Sequence, residues 1–216
     1  MRRAIVAASL AVCMLSTPSG AENREAFAGL YAGVQGGGGA TEVTLILDGD
    51  GIGDVSVETA EGGVFAGYAL RRDRFVGGVE LEGVYVSGSD DIMAPFGPAR
   101  VETRGAVGAS VIAGVVVADA VPSLALGEGG GSVMVYGRVG YRALFAKIEA
   151  GGDAGTDAFH GLRAGAGVAY QASYNISVRA EYTRLQYRDQ RYGSGRNTLT
   201  VGPSGDLVSV GVSWRF

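Results

Sequence analysis

Cysteine is all but missing from this chain: of 216 residues only Cys13 carries a thiol. No intrachain disulfide and no multi-thiolate metal site can form, and a thiol enzyme has little to work with. Histidine is equally scarce, with His160 alone. Basic clusters are absent too. The 18 Lys and Arg are outnumbered by 22 Asp and Glu, for a net charge of −4, and only Arg2-Arg3 and Arg71-Arg72 are adjacent. Nucleic acid demands concentrated positive charge, so it is excluded as a partner. Long apolar runs are also lacking. The stretch Ala4–Leu15 falls short of the roughly 20 residues a spanning helix needs.

What the chain has in excess is glycine, 38 residues, about 18% against a usual ~7%. With 47% hydrophobic residues, this composition describes a folded, glycine-rich chain rather than a disordered one. Glycine suits small barrels, where strands curve tightly and the interior is narrow. The apolar residues alternate with polar or small ones in eight segments, near 29–38, 63–70, 75–86, 102–117, 132–146, 159–171, 176–187 and 207–216. A period of two is the signature of a strand with unlike surroundings on its faces, and about ten residues suit a tilted transmembrane strand.

The connections alternate in length. Arg71–Arg74 and Ala172–Asn175 are tight, as on a periplasmic side; 41–62, 87–101, 147–158 and 188–206 are long and polar, as expected of external loops. The connection 119–131, with Pro122 and Gly129-Gly130-Gly131, breaks the alternation. Charges within strands keep to one face. Glu80 and Glu82 alternate with Val79 and Leu81; Arg138 and Arg142 alternate with Val139 and Tyr141. Arg163 alternates with Leu162 and Ala164; Arg179 and Glu181 alternate with Val178 and Tyr182. A mid-depth Arg in lipid costs about 2–4 kcal/mol, so the charged face is the lumen. Glu80, Glu82 and Glu181 are expected to face Arg138, Arg142, Arg163 and Arg179 across it.

Both ends of the chain fit that reading. Val208, Val210, Val212, Trp214 and Phe216 form a strictly alternating strand with an aromatic last residue. The pattern resembles the carboxyl-terminal signal recognised by the β-barrel assembly machinery. At the other end Arg2-Arg3, the apolar stretch, Pro18 and Ser19-Gly20-Ala21 read as a secretory signal cleaved after Ala21. Residues 1–21 are thus expected to be a signal peptide and 22–216 one barrel domain. The remaining 195 residues would carry a charge of −6, since Arg2 and Arg3 leave, and no cysteine.

Leu30–Gly36, Gly63–Tyr68, Gly78–Gly83, Gly165–Tyr170, Ser177–Tyr182 and the terminal strand, taken in order, resemble the small outer-membrane β-barrels of α-proteobacteria. That is the opacity-protein-like porin family, related in architecture to the OmpA transmembrane domain. The resemblance implies an all-β fold, an eight-stranded antiparallel up-and-down transmembrane β-barrel with four external loops in the bacterial outer membrane.

An eight-stranded barrel is just wide enough for side chains to fill it. The lumen charges are therefore read first as a packed plug, with a gate whose pairs exchange as the alternative. The external segments are acidic in Glu42, Asp48, Asp50, Asp54, Glu58, Glu61, Asp90, Asp91, Glu149, Asp153 and Asp157, and basic in Arg188, Arg191 and Arg196. Hydration explains this pattern; recognition of a surface ligand or of lipopolysaccharide is the alternative. The run Asp48–Asp54 lacks the oxygen ligands of a calcium loop at its fifth and twelfth positions, occupied by Ile52 and Thr59. Gly36–Gly39 precedes no Lys-Ser/Thr and is no phosphate cradle. His160 has no serine close after it, and Ser110, Ser177 and Ser209 fall on inward faces, so a lipid-modifying hydrolase finds no nucleophile–base pair. The sequence points to a non-enzymatic outer-membrane barrel without cofactor, serving envelope integrity and surface interaction, with a narrow porin as the competing class. Its expected partners are outer-membrane lipids, lipopolysaccharide and, during biogenesis, the assembly machinery.

Overall fold

The computed structural model describes residues 25–47, 50–94, 97–150, 153–188, 190–192 and 199–216. Nine strands follow in order: β1 Gly29–Leu47, β2 Asp50–Arg72, β3 Phe75–Ala94, β4 Gly97–Ala118, β5 Ser132–Ala150, β6 Asp153–Gln171, β7 Ile176–Tyr187, β8 Gln190–Tyr192 and β9 Leu199–Arg215. Each pairs antiparallel with its neighbours, and β1 also pairs with β9, which closes the ring. The short β8 runs beside β9 beyond the end of β7, so the two share one position and the wall has eight staves.

The inner strand ends coincide with the alternating segments to within two residues. The outer ends do not. Strands β1 and β2 run through 41–62 as far as Leu47 and Asp50, and β3, β4, β5 and β6 run through most of 87–101 and 147–158. The long external loops expected there are replaced by a wall of strands. Above the membrane a strand has no lipid-facing side, so apolar–polar alternation is no longer required, and the sequence there resembles a loop.

Side-chain direction fixes the membrane level. Exposed Phe75, Trp214 and Phe216 mark the periplasmic edge of the outer face, and exposed Tyr85, Tyr141 and Tyr182 the opposite edge. Phe75 and Tyr85 are ten residues apart on β3. At about 3.3 Å per residue and a tilt of about 40° they span about 25 Å, the height of a barrel's apolar band. Nine more residues of β3 continue outward, which lifts the hairpins about 20 Å above the membrane by the same geometry.

The lumen explains the glycine. Along the paired row Gly33–Phe65–Glu82–Gly108–Arg142–Gly161–Tyr187, glycines stand beside the bulky residues, and only Phe65 and Glu82 are large neighbours. In a second row, Tyr136–Gly167–Glu181–Ser209–Gly37–Glu61, each large residue likewise has a glycine or serine beside it. A Cβ at Gly33 would lie 2.5 Å from the Phe65 ring, and one at Gly161 would lie 2.6 Å from the Tyr187 ring. Each bulky side chain reaches across the narrow interior over a neighbour that has none.

The connection between β4 and β5 is ordered. It holds a 3-10 turn at Pro122–Leu124, and its ends are joined by Val121 N–H donating to Gly131 O. Arg71 Nη2 donates to Asp119 Oδ2 at 2.6 Å, and Ser132 Oγ donates to Asp119 Oδ1. The hydrogen bond from Arg71 holds the Asp119 carboxyl below the usual carboxylate range. Its contribution is therefore present above the ordinary carboxylate pKa of about 4 and fades as pH falls through the lowered value.

Gly161→Val is expected to lower barrel stability by about 1–3 kcal/mol through overpacking. Gly83→Val should cost little, since nothing lies within 4 Å of a Cβ there; the temperature at which each variant loses its heat-modifiable gel mobility compares them. Asp119→Asn should render the 119–131 connection sensitive to protease at neutral pH, where the parent resists.

Candidate functional site

From the periplasmic side outward, the lumen consists of an amino-terminal stopper, an apolar layer, a charged layer and a second apolar layer. The stopper is Glu25–Ala28. Phe27 sits buried in the mouth at φ +65°, a backbone conformation a bulky residue adopts only where its surroundings impose it. They do: Phe27 N–H donates to Gln171 Oε1 at 3.0 Å, Arg215 Nη1 donates to Glu25 O at 2.9 Å, and Arg71 Nη1 donates to Ala26 O at 3.4 Å. Above it Phe27, Val76, Ile112, Val116, Met134 and Tyr136 form an apolar cluster around a cavity of about 70 Å³.

The charged layer follows. Glu80 accepts from Arg138 Nη2 at 2.5 Å and from Arg179 Nη1 at 2.6 Å. Arg138 also lies 3.3 Å from Glu181 and 3.8 Å from Glu82. Arg163 bridges Glu82 and, at 3.1 Å, Glu181. Uncharged partners complete the net. Tyr31 donates to Glu80, Tyr136 and Thr183 donate to Glu181, and Gln35 joins Arg179 to Glu82. The Arg179 guanidinium also lies 3.6 Å from the centre of the Phe65 ring, within cation–π range. Further out, Phe159, Leu185 and Tyr187 form one apolar cluster and Val84, Val86 and Ala106 another, with Leu144 packed against both.

All seven lumen charges named from the sequence, Glu80, Glu82, Arg138, Arg142, Arg163, Arg179 and Glu181, lie inside the barrel. The sequence assigned the eighth wrongly. Glu61 was placed in an external loop with the other acids, but it lies on β2, is 9% exposed and forms an ion pair with Arg142. Its parity with Phe65 and Ala69, both inward on the same strand, is the signal that identifies it. With Glu61 the layer holds four arginines and four glutamates, an even balance among the described residues. Removing charge from water requires compensation in place, and a lone excess guanidinium would be costly.

The other named residues fall as follows. Val208, Val210, Val212, Trp214 and Phe216 are all exposed on the lipid side. Ser110 and Ser209 are buried in the lumen and Ser177 lines its periplasmic cavity, whereas His160 is outside, stacked on Tyr141 and hydrogen-bonded to it at 2.5 Å. Glu42, Glu58 and Arg188 are exposed. Ala21 and the rest of 1–24 lie outside the described residues, as do Asp48 and Arg196. So do the side chains of Asp50, Asp54, Asp90, Asp91, Glu149, Asp153, Asp157 and Arg191.

Glu61→Leu should destabilise the barrel by about 3–5 kcal/mol, because Arg142 is left buried and unpaired. Adding Arg142→Met should restore most of the loss, as read by urea titration of the folded fraction.

Among solved structures, the chain is similar to the outer membrane protein OprG from Pseudomonas aeruginosa, at 15% identity and TM-score 0.51. That match covers 89% of this chain and 99% of that one. It also resembles Neisserial surface protein A, at 17% identity, TM-score 0.47 and coverage of 88% and 98%. A third is Ail of Yersinia pestis, at 14% identity, TM-score 0.42 and coverage of 87% and 99%. No curated protein sequence matches it. The family model for the outer membrane protein beta-barrel domain matches residues 5–216, almost the full length of the chain. This protein is a member of that family, an eight-stranded barrel of the bacterial outer membrane.

Proposed function

We propose that this barrel is a non-enzymatic scaffold of the outer membrane, closed to solutes, which serves envelope integrity and surface interaction. The observation that carries the reading is the succession of seals. Phe27 occupies the periplasmic mouth, the neutral Arg–Glu layer fills the middle, and apolar clusters close the outer half. Side chains occupying the interior of an eight-stranded barrel leave no aqueous path. Against enzymatic chemistry stands the wall itself: His160 faces outward, whereas Ser110, Ser177 and Ser209 face the lumen, so this base and these hydroxyls are separated by the sheet. The exposed apolar row that ends in Trp214 and Phe216 supports recognition by the assembly machinery, with lipids and lipopolysaccharide as the surroundings of the finished barrel.

A second reading, a narrow gated pore, has one observation in its favour. Arg138 lies within 4 Å of three carboxylates, those of Glu80, Glu181 and Glu82, so its ion pairs can exchange through small motions.

Conductance of the refolded barrel in a planar bilayer separates the two, once heat-modifiable mobility shows that it is folded. The scaffold reading expects silence, and expects Glu80→Ala to lose stability without gaining current. Reproducible open steps altered by substitutions at Glu80 or Arg138 would establish the gated pore instead.

A further inference from the structure

The lipid-facing surface is not uniform above its outer girdle. On β7, two residues beyond Tyr182 on the same face, Arg184 projects outward with its side chain 58% exposed. It is held in place: its Nη1 donates to Asp206 Oδ2 at 2.8 Å, and the Tyr182 hydroxyl donates to Asp206 Oδ1 at 2.5 Å. The same face continues through exposed Gln186 to exposed Arg188. Arg188 N–H donates to His160 O on β6, which brings Arg188 beside His160 and Tyr141. On β1 and β2, the outward residues beyond the apolar band include the exposed acids Glu42 and Glu58. Among the described outward residues the rim is therefore basic along β6–β7, where Asp206 pairs with Arg184, and acidic along β1–β2.

Two features distinguish the basic side from ordinary surface charge. Its depth is fixed, because Tyr182 marks the boundary of the apolar band, and a tilted strand places Arg184 about 5 Å beyond it. Headgroup phosphates lie at that level. Its geometry is also set in advance, because Asp206 and Tyr182 hold a guanidinium that still presents surface outward. A planar guanidinium matches the oxygens of a phosphate, and less ordering remains to be done when it is already held. Arg184 and Arg188 stand about 13 Å apart along the strand, so each would meet its own phosphate, with exposed Gln186 between them and His160 beside Arg188.

We propose that the outward face of β6–β7 binds the phosphate monoesters of lipid A, the membrane anchor of lipopolysaccharide, with Arg184 and Arg188 as the principal contacts. The proposal rests on the surface-interaction part of the function given above and not on the closed lumen, so a conducting barrel would leave it intact.

The test uses the protein extracted from outer membranes in mild detergent, stripped of lipid, and titrated in native mass spectrometry. Bis-phosphorylated lipid A is expected to bind at least tenfold more tightly than lipid A with the same acyl chains and no phosphate. Arg184→Gln/Arg188→Gln should erase that preference, and Glu42→Gln/Glu58→Gln should keep it. Should the double variant lose heat-modifiable mobility, Arg188→Gln alone leaves the Tyr182–Asp206–Arg184 network untouched and must still weaken binding. Equal affinity for the two forms of lipid A, or an unchanged preference in the folded variants, would overturn the proposal. Equal competition by phosphatidylglycerol would overturn the commitment to lipid A and leave only a general anionic-lipid belt.

Discussion

Closing eight strands into a ring leaves an interior one side chain wide, and the rest of the molecule answers to that limit. Little room is left for water to solvate a stray charge, and each guanidinium of the central layer lies within a few ångströms of a carboxylate. Few bulky groups can stand side by side, so Phe65 lies opposite Gly33 and Tyr187 opposite Gly161. The high glycine content and the balanced charges thus have the same cause. One meets the steric limit and the other the dielectric limit of the same narrow space.

The apolar layers on either side of the charges strengthen this arrangement. Tyr31 and Tyr136 reach from the periplasmic cluster up to Glu80 and Glu181, so each carries apolar area and a donor to the border between layers. Ion pairs flanked by apolar clusters have little solvent available to replace a lost partner. Such a network is expensive to disturb one residue at a time, and cheaper to alter in matched pairs.

The sequence made legible what the bilayer enforces. Lipid on one side and lumen on the other impose alternation, so the inner strand ends, the faces and seven of the eight charges of the central layer could be read from periodicity. Legibility ended where lipid did. From Val86 to Ala94 on β3, and from Asp50 to Gly62 on β2, both faces are free of the membrane, so strand and loop share a composition. Glu61 was misread at that boundary, being counted with the acids around it and not by its parity with Phe65. The stopper at Glu25–Ala28 left no trace in periodicity, because its place is set by Gln171, Arg215 and Arg71, which are remote in sequence.

That stopper ties the beginning of the described chain to its last strand. Glu25 O accepts from Arg215, and Phe216 N–H donates to Leu30 O. Neither bond can exist until the final stave has met the first. The mouth therefore has its full set of anchors only when the seam is closed, because Arg215 comes from the final stave whereas Gln171 and Arg71 do not. A fully anchored mouth is thus also a sign that the first and last staves have met.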